Sequence, residues 1–350
     1  MYLEFVIHCL YLIATADNVY LQFQAILISL NMNSINAIAR SFHPLELITN
    51  NITHNFIPLA FYSSLAGVVY LLLGGFIWLK PLEVAKKPYL TWAVLLPIIF
   101  IPLWLGSGAW AIAITLVSIY GFKEFARGTG LYEHRAYCIV VDVLIIGLGL
   151  CAAFSQYGLF MALPIWGIAG ITALPILTNQ SKGAIQNISL AAIGLIYFGW
   201  FMAHISFLSQ SRYGLGYVLF MVLATQFNDA LAFLWGKLFG KTTWTEISPK
   251  KTVEGSILAL ISSIAIAFLN WQIAFPHFQW WLVGIVGLIV GIGGQIGDLV
   301  MSAFKRDLGI KDFGALLPGH GGILDRIDSL LWVAPVFFHT VRFFYGGFGY

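Results

Sequence analysis

The chain has 350 residues, of which 59% are hydrophobic and 9% charged, and its mean hydropathy is +0.86. Soluble domains carry about 45–50% apolar and about 25% charged residues, so that class is excluded and the chain belongs in a lipid bilayer. A net charge of +3 is too thinly spread for nucleic acid to be a partner, and only a local cluster of charge can mark a polyanionic substrate.

The sequence opens on Met1-Tyr2-Leu3-Glu4 without the positive segment of a cleavable signal, so this end is expected to be retained. Residues 1–55 read as an N-terminal extension. Its apolar runs, 2–15 and 19–31, are separated by Asp17 and Asn18, which points to interfacial or partly inserted helices. Residues 56–350 read as one transmembrane domain. Because a spanning helix needs about 20 mostly apolar residues, spans are predicted over 56–79, 137–155, 157–177, 186–208, 213–235, 255–275, 280–300 and 329–347. Residues 89–122 supply two more, with the chain reversing at Gly106-Ser107-Gly108. The expected fold class is all-α: a polytopic integral membrane protein of about ten transmembrane helices with cytoplasmic catalytic loops.

Cytoplasmic loops are enriched in lysine and arginine. With these spans every Lys and Arg except Arg40, Arg212 and Arg342 falls on one side. That side is expected to be the cytoplasm, and the two longest loops, 236–254 and 301–328, lie on it. Cys9, Cys138 and Cys151 sit in apolar stretches without metal-ligand spacing and read as small hydrophobes. His8, Asp142, His204 and His339 also lie inside apolar runs. They read as satisfied interior or interface residues, with Asp142 the one most open to another role.

Between Ser302 and Asp328 stand Lys305, Arg306, Asp307, Lys311, Asp312, Asp325, Arg326 and Asp328. Phosphates and a divalent metal account for such a cluster, since moving a phosphoryl-type group between polyanions is mainly positioning and charge neutralisation. Carboxylates would hold Mg²⁺ through one or two oxygens while phosphates complete its shell. In the predicted span 280–300, Gly284, Gly287, Gly291 and Gly294 alternate at three and four residues, which places them on one helical face. Asp298, Ser302 and Lys305 continue that stripe. The glycines suit close helix packing, but an intramembrane acid such as Asp298 is costly and usually functional.

Asp229 is a second such acid, with Gln226 three residues before it. Lys250-Lys251 in the loop Ile247–Gly255 suits phosphate binding and equally a positive-inside anchor. The turn Pro318-Gly319-His320-Gly321-Gly322 can expose backbone N–H groups to an anion. Asp325 and Asp328, three residues apart, would share a helical face as paired metal ligands, or Asp325 merely favours a helix N-terminus.

The run Ser302-Ala303-Phe304-Lys305-Arg306, then Lys311-Asp312-Phe313-Gly314, then Pro318-Gly319-His320-Gly321-Gly322-Ile323-Leu324-Asp325-Arg326-Ile327-Asp328 resembles the phosphatidate cytidylyltransferase signature at essentially every fixed position. Gln295-Ile296-Gly297-Asp298-Leu299 resembles the family's Gly-Asp-Leu element, and Ser248-Pro249-Lys250-Lys251-Thr252-Val253-Glu254-Gly255 its Ser-Pro-Lys-Lys-Thr-x-Glu-Gly loop. The resemblance covers roughly residues 215–330. It implies transfer of a cytidylyl group from CTP to phosphatidate, giving CDP-diacylglycerol and pyrophosphate, with Mg²⁺ required.

By the same resemblance, Asp298, Lys305, Arg306, Asp312, His320 and Asp325 are the candidate catalytic residues. Lys250, Lys251, Ser302, Lys311, Gly321, Gly322 and Arg326 would bind substrate, and Asp229, Asp298, Asp325 and Asp328 would hold metal. The expected partners are CTP, phosphatidate or a similar lipid phosphate and the bilayer, with a homodimer left open. The expected location is the bacterial inner membrane with the active site facing the cytoplasm. A CTP-dependent transferase or kinase acting on a polyprenyl phosphate or polyprenol, and a membrane transporter, are the alternatives. The chain departs from the family at Asp229-Ala230-Leu231-Ala232-Phe233, where Asp-Ser/Thr-Gly-Ala-Tyr is usual, and at Met301, where many bacterial members carry Glu.

Overall fold

In hydrocarbon every backbone N–H and C=O must find its partner inside the segment, so long apolar runs become helices. The computed structural model describes residues 55–79, 83–316 and 321–345, and it is helical throughout these apart from short connections. The expectation for the extension falls outside the described residues, Asn55 excepted. Among the described residues ten long helices stand where the ten spans are predicted: α1 Ile57–Leu79, α2 Glu83–Leu105, α3 Ser107–Thr129, α4 Arg135–Ala153, α5 Tyr157–Leu177, α6 Ala184–Ser209, α7 Gly214–Phe239, α8 Val253–Leu269, α9 Trp280–Asp307 and α10 Leu324–Tyr345. Seven are long and apolar enough to cross a membrane, while α1, α2 and α8 offer apolar runs shorter than 18 residues. The predicted reversal falls at Gly106, whose φ of 112° separates α2 from α3. Among the described residues the β structure is one isolated bridge between Thr243 and Thr252.

Several helices outrun their apolar stretches. α9 continues to Asp307 and α10 begins at Leu324, so Asp298, Ser302, Lys305 and Arg306 ride on one helix and Asp325, Arg326 and Asp328 on the other. The expectation that the catalytic residues sit in loops is corrected for six of these, whereas Asp298 stands within its predicted span. Hydropathy registers only the part of a helix that meets lipid, whereas the i to i−4 hydrogen bonds continue wherever packing holds the helix.

Helices in lipid gain no hydrophobic drive from meeting one another, so close packing decides which faces meet. Gly287 and Gly291 of α9 lie against α8, where a Cβ on Gly287 would stand 2.7 Å from Ile264 Cα. Gly297 lies against α10, where a Cβ would stand 2.6 Å from the Asp328 carbonyl oxygen and 2.9 Å from Ser329 Cα. Gly284, expected on the same packed stripe, meets only Phe268 at 4.0 Å. The outer surface is aliphatic and aromatic, with Ile176 82% and Trp166 73% exposed, as suits contact with lipid.

The two ends of the bundle differ. The α6–α7 turn, the α8–α9 connection and the end of α10 gather aromatic groups: Tyr213 stacks on His277 with ring centroids 3.9 Å apart, Tyr217 Oη lies 2.6 Å from His277 Nε2, and Tyr345 stacks on Phe278. Such amphipathic rings favour a membrane interface. The α3, α7 and α9 C-termini and the α10 N-terminus form the opposite, charged end.

Candidate active site

At the charged end three helices bring three carboxylates together: Asp229 from α7, Asp298 from α9 and Asp328 from α10. Asp328 is within electrostatic range of both others and of Lys305. The close approach at Gly297 places the end of α9 beside Asp328. Asp229 Oδ2 accepts a hydrogen bond from Ser329 Oγ at 2.7 Å, and Asp328 Oδ1 accepts from the Ser329 N–H at 2.8 Å. Asp298 is ion-paired with Lys251.

Lys251 reaches Asp298 because the α7–α8 connection folds into a short tongue. Trp244 N–H donates to the Lys251 carbonyl and Val253 N–H to the Thr242 carbonyl, both at 3.0 Å. Glu254 accepts from the Lys241 and Thr242 amides, and Thr252 Oγ1 caps α8 by accepting from Gly255 N–H at 3.2 Å. Arg306 Nε donates to the Ile247 carbonyl at 3.3 Å, joining the tongue to the end of α9. The two lysines therefore part company: Lys251 is half-buried at the carboxylates and Lys250 is exposed. Lys311 and Asp312 are also exposed, on the connection between α9 and α10.

Asp325 has a different post. Its Oδ1 accepts from Lys305 Nζ at 3.0 Å, and its Oδ2 accepts from the Phe313 and Gly322 amides at 3.1 and 3.0 Å. Both oxygens are thus committed to protein donors, and the carboxylate ties the start of α10 to both arms of the connection. Its link to Gly322 N–H belongs with the helix-terminus reading of the sequence. Gly321 takes a φ of 76° directly over it. Pro318, Gly319 and His320 lie outside the described residues.

One participant was missed in the sequence. Glu124 of α3 is 3% exposed, and its Oε2 accepts from Leu324 N–H at 2.8 Å, with Ile323 N–H also directed to the carboxylate. It caps the first turn of α10 from a helix outside the signature. The only sequence sign was an acid, Glu124, beside Lys123 at the end of an apolar run. Outside the site, His204 and His339 face each other with 3.2 Å between their Nε2 atoms, as expected of interior residues. His8 and Cys9 fall outside the described residues, and Cys138 and Cys151 are free thiols. Asp142 is the exception it was expected to be: its Oδ1 is buried without a hydrogen-bond partner, with Lys123 as a nearby countercharge. Of the family departures, Met301 is buried in the core and Phe233 is 70% exposed.

Among the described residues no three His, Cys, Asp or Glu side chains are gathered tightly enough to cage a metal by themselves. The donor set nevertheless fits Mg²⁺, which binds through one or two carboxylates and takes its remaining oxygens from phosphates and water. Three mutually close acids from three helices face Lys251, Lys305 and Arg326, and Lys305 is also paired with Asp325, which leaves negative charge for a divalent ion to offset.

A cavity of about 610 Å³ opens between α2, α3, α6, α7 and α10. Leu95, Ile98, Trp110, Ala113, Ile205 and Leu330 line its apolar part, and Gln226 and Arg326 stand at its polar end. Gln226 Nε2 donates to the Arg326 carbonyl at 3.1 Å, while Arg326 Nε is buried without a hydrogen-bond partner.

Fold and site together define a polytopic membrane protein with a cluster of acidic and basic side chains at one end of its helix bundle. The profile of the cytidylyltransferase family matches residues 86–344. The chain is 34% identical over 242 residues to an uncharacterized protein, YnbB, of Escherichia coli K12, covering 65% of this chain and 77% of that protein. It is 30% identical over 272 residues to the phosphatidate cytidylyltransferase of Synechocystis sp., covering 68% of this chain and 89% of that protein. The phosphatidate cytidylyltransferase of Staphylococcus epidermidis is 39% identical over 153 residues, 43% of this chain and 55% of that protein, so the chain spans about half the length of this relative. The chain belongs to the cytidylyltransferase family and is an integral membrane nucleotidyltransferase.

Proposed function

We propose that this protein transfers the cytidylyl group of CTP to phosphatidate. The observation that carries this reading is the convergence of Asp229, Asp298 and Asp328 with Lys251 and Lys305, together with Arg326, which lies within electrostatic range of Asp229 and also lines an apolar cavity. A lipid phosphate would lay an acyl chain in the cavity and present its phosphate to Arg326, whose buried Nε lacks an acceptor. A phosphate oxygen of the lipid attacks the α-phosphorus of CTP, the bond from that phosphorus to the bridging oxygen breaks, and pyrophosphate leaves with the electron pair. The nucleophile is largely ionised at neutral pH, so the site needs no strong base.

Asp229, Asp298 and Asp328 would hold Mg²⁺, which supplies neutralisation of the charge shared by the two substrates. Lys305, positioned by Asp325, and Lys251 place positive charge beside those carboxylates. Arg306, Lys311 and Lys250 on the exposed rim would draw the nucleotide in from the cytoplasm of a bacterial cell. Ser302, Asp312, His320 and the Gly321 amide are proposed to complete the nucleotide site.

The test is purified protein with CTP and Mg²⁺ offered a panel of lipid phosphates and the matching lipid alcohols, followed by pyrophosphate release and lipid mass spectrometry. CDP-diacylglycerol formed from phosphatidate is the expected product. Turnover of a lipid alcohol but not of its phosphate would overturn the reading in favour of a kinase.

A further inference from the structure

The glycines of Lys311-Asp312-Phe313-Gly314 and His320-Gly321-Gly322 belong to the two arms of the α9–α10 connection. Neither Gly314 nor Gly322 has a positive φ, so backbone conformation does not account for glycine there. Space does. A Cβ on Gly314 or on Gly322 would stand 2.7 Å from Glu124 Cδ and overlap the carboxylate oxygens, and the two glycines themselves meet, with Gly322 Cα 3.1 Å from that Cβ on Gly314. The carboxylate of α3 therefore fills the gap between the arms while accepting the Leu324 and Ile323 amides. The neighbouring Phe125 packs on Phe313 with centroids 6.1 Å apart, so α3 grips the same segment twice.

We propose that Glu124 is a positioning residue for the reaction, and that glycine is required at 314 and 322 because the Glu124 carboxylate occupies the room a side chain would take. Glu124 and Asp325 act as two clasps on one loop. Asp325 fastens the Phe313 and Gly322 amides to Lys305, and Glu124 fastens the second arm to α3 at Leu324 while lying against the first at Gly314. Lys311 and Asp312 project from the loop so fixed, and Asp328 lies one helical turn beyond the capped amides. The catalytic part of the assignment rests on the proposed function, whereas the steric part does not.

A double-mutant cycle tests it. Gly314→Ala, Glu124→Ala and the double variant are compared for detergent melting temperature, for thiol labelling at Ala315→Cys, and for kcat and KM with CTP. Each single variant is expected to speed labelling and to lower kcat/KM by about 10²-fold, the scale of a misplaced catalytic group. The double variant is expected to be no worse than Glu124→Ala, because with the carboxylate gone the new methyl group has room. Losses that multiply in the double variant, or a Gly314→Ala protein indistinguishable from the parent, would overturn the assignment. If Glu124→Ala does not fold, Glu124→Gln decides: its faster labelling supports the clasp and an unchanged rate rejects it. Melting and labelling require no substrate, so failure of the proposed reaction would leave this coupling readable.

Discussion

Lys251 reaches across from the tongue between α7 and α8 to pair with Asp298 on α9. Asp298 remains part-exposed, with 28% of its side chain accessible, whereas the Lys251 Nζ is buried. The pair sets a countercharge beside the Asp298 carboxylate, close to Asp229 and Asp328. The ion pair also fixes the tongue over the site, so loop and helix end act as one unit.

Asp298→Asn keeps the size of the side chain but removes the charge a divalent ion needs. Turnover at saturating Mg²⁺ is expected to fall by more than about 100-fold, the scale of losing electrostatic stabilisation worth about 3 kcal/mol. Expression and detergent melting should stay near the parent. Asp142→Asn, on α4 outside the site, is the matched control and should be far milder. An active, well-folded Asp298→Asn enzyme would show that the acid is structural.

Gly297→Ala should be among the most damaging single-methyl additions in the protein. Its Cβ would meet the backbone of Asp328 and Ser329, which cannot rotate away, and forced separation of α9 and α10 costs about 1–3 kcal/mol or more. Gly284→Ala, on the same helix with open space around it, should be neutral or slightly stabilising. Detergent melting curves of the two variants check this, and equal behaviour would contradict the close packing of α9 on α10.

Ala113→Trp pushes an indole into the cavity between α2, α3 and α7. A lipid chain entering from hydrocarbon gains packing there rather than hydrophobic burial, so the indole should act by exclusion. KM for a long-chain phosphatidate is expected to rise on the order of tenfold, a free energy of about 1.4 kcal/mol, with KM for CTP near the parent value. An unchanged lipid KM would place the acyl chain elsewhere.

Membrane orientation is open to direct labelling. Thr245→Cys and Ala315→Cys lie on the tongue and on the α9–α10 connection, the two loops that the distribution of lysine and arginine is expected to place in the cytoplasm. Both should react with a membrane-impermeant thiol reagent only after the cytoplasmic side is opened. Reaction of either from outside in intact cells would reverse the topology.

Sequence alone determined the membrane class, the position of the ten helices and the identity of the charged cluster, because hydropathy and residue type are local properties that need no partner. It also marked Asp229 and Asp298, since an acid inside an apolar run is conspicuous wherever the chain goes, and Asp328 by its spacing from Asp325 in the charged cluster. The ends of α9 and α10 were not legible, because a helix held by its neighbours continues past the residues that face lipid. The division of labour among the acids was decided only by tertiary structure. Asp325 looks like Asp328 in the sequence, yet three donors from α9, the connection and its own turn occupy it. Glu124 clasps an amide 200 residues away. Such a contact depends on how α3 packs on α10, which neither periodicity nor spacing encodes.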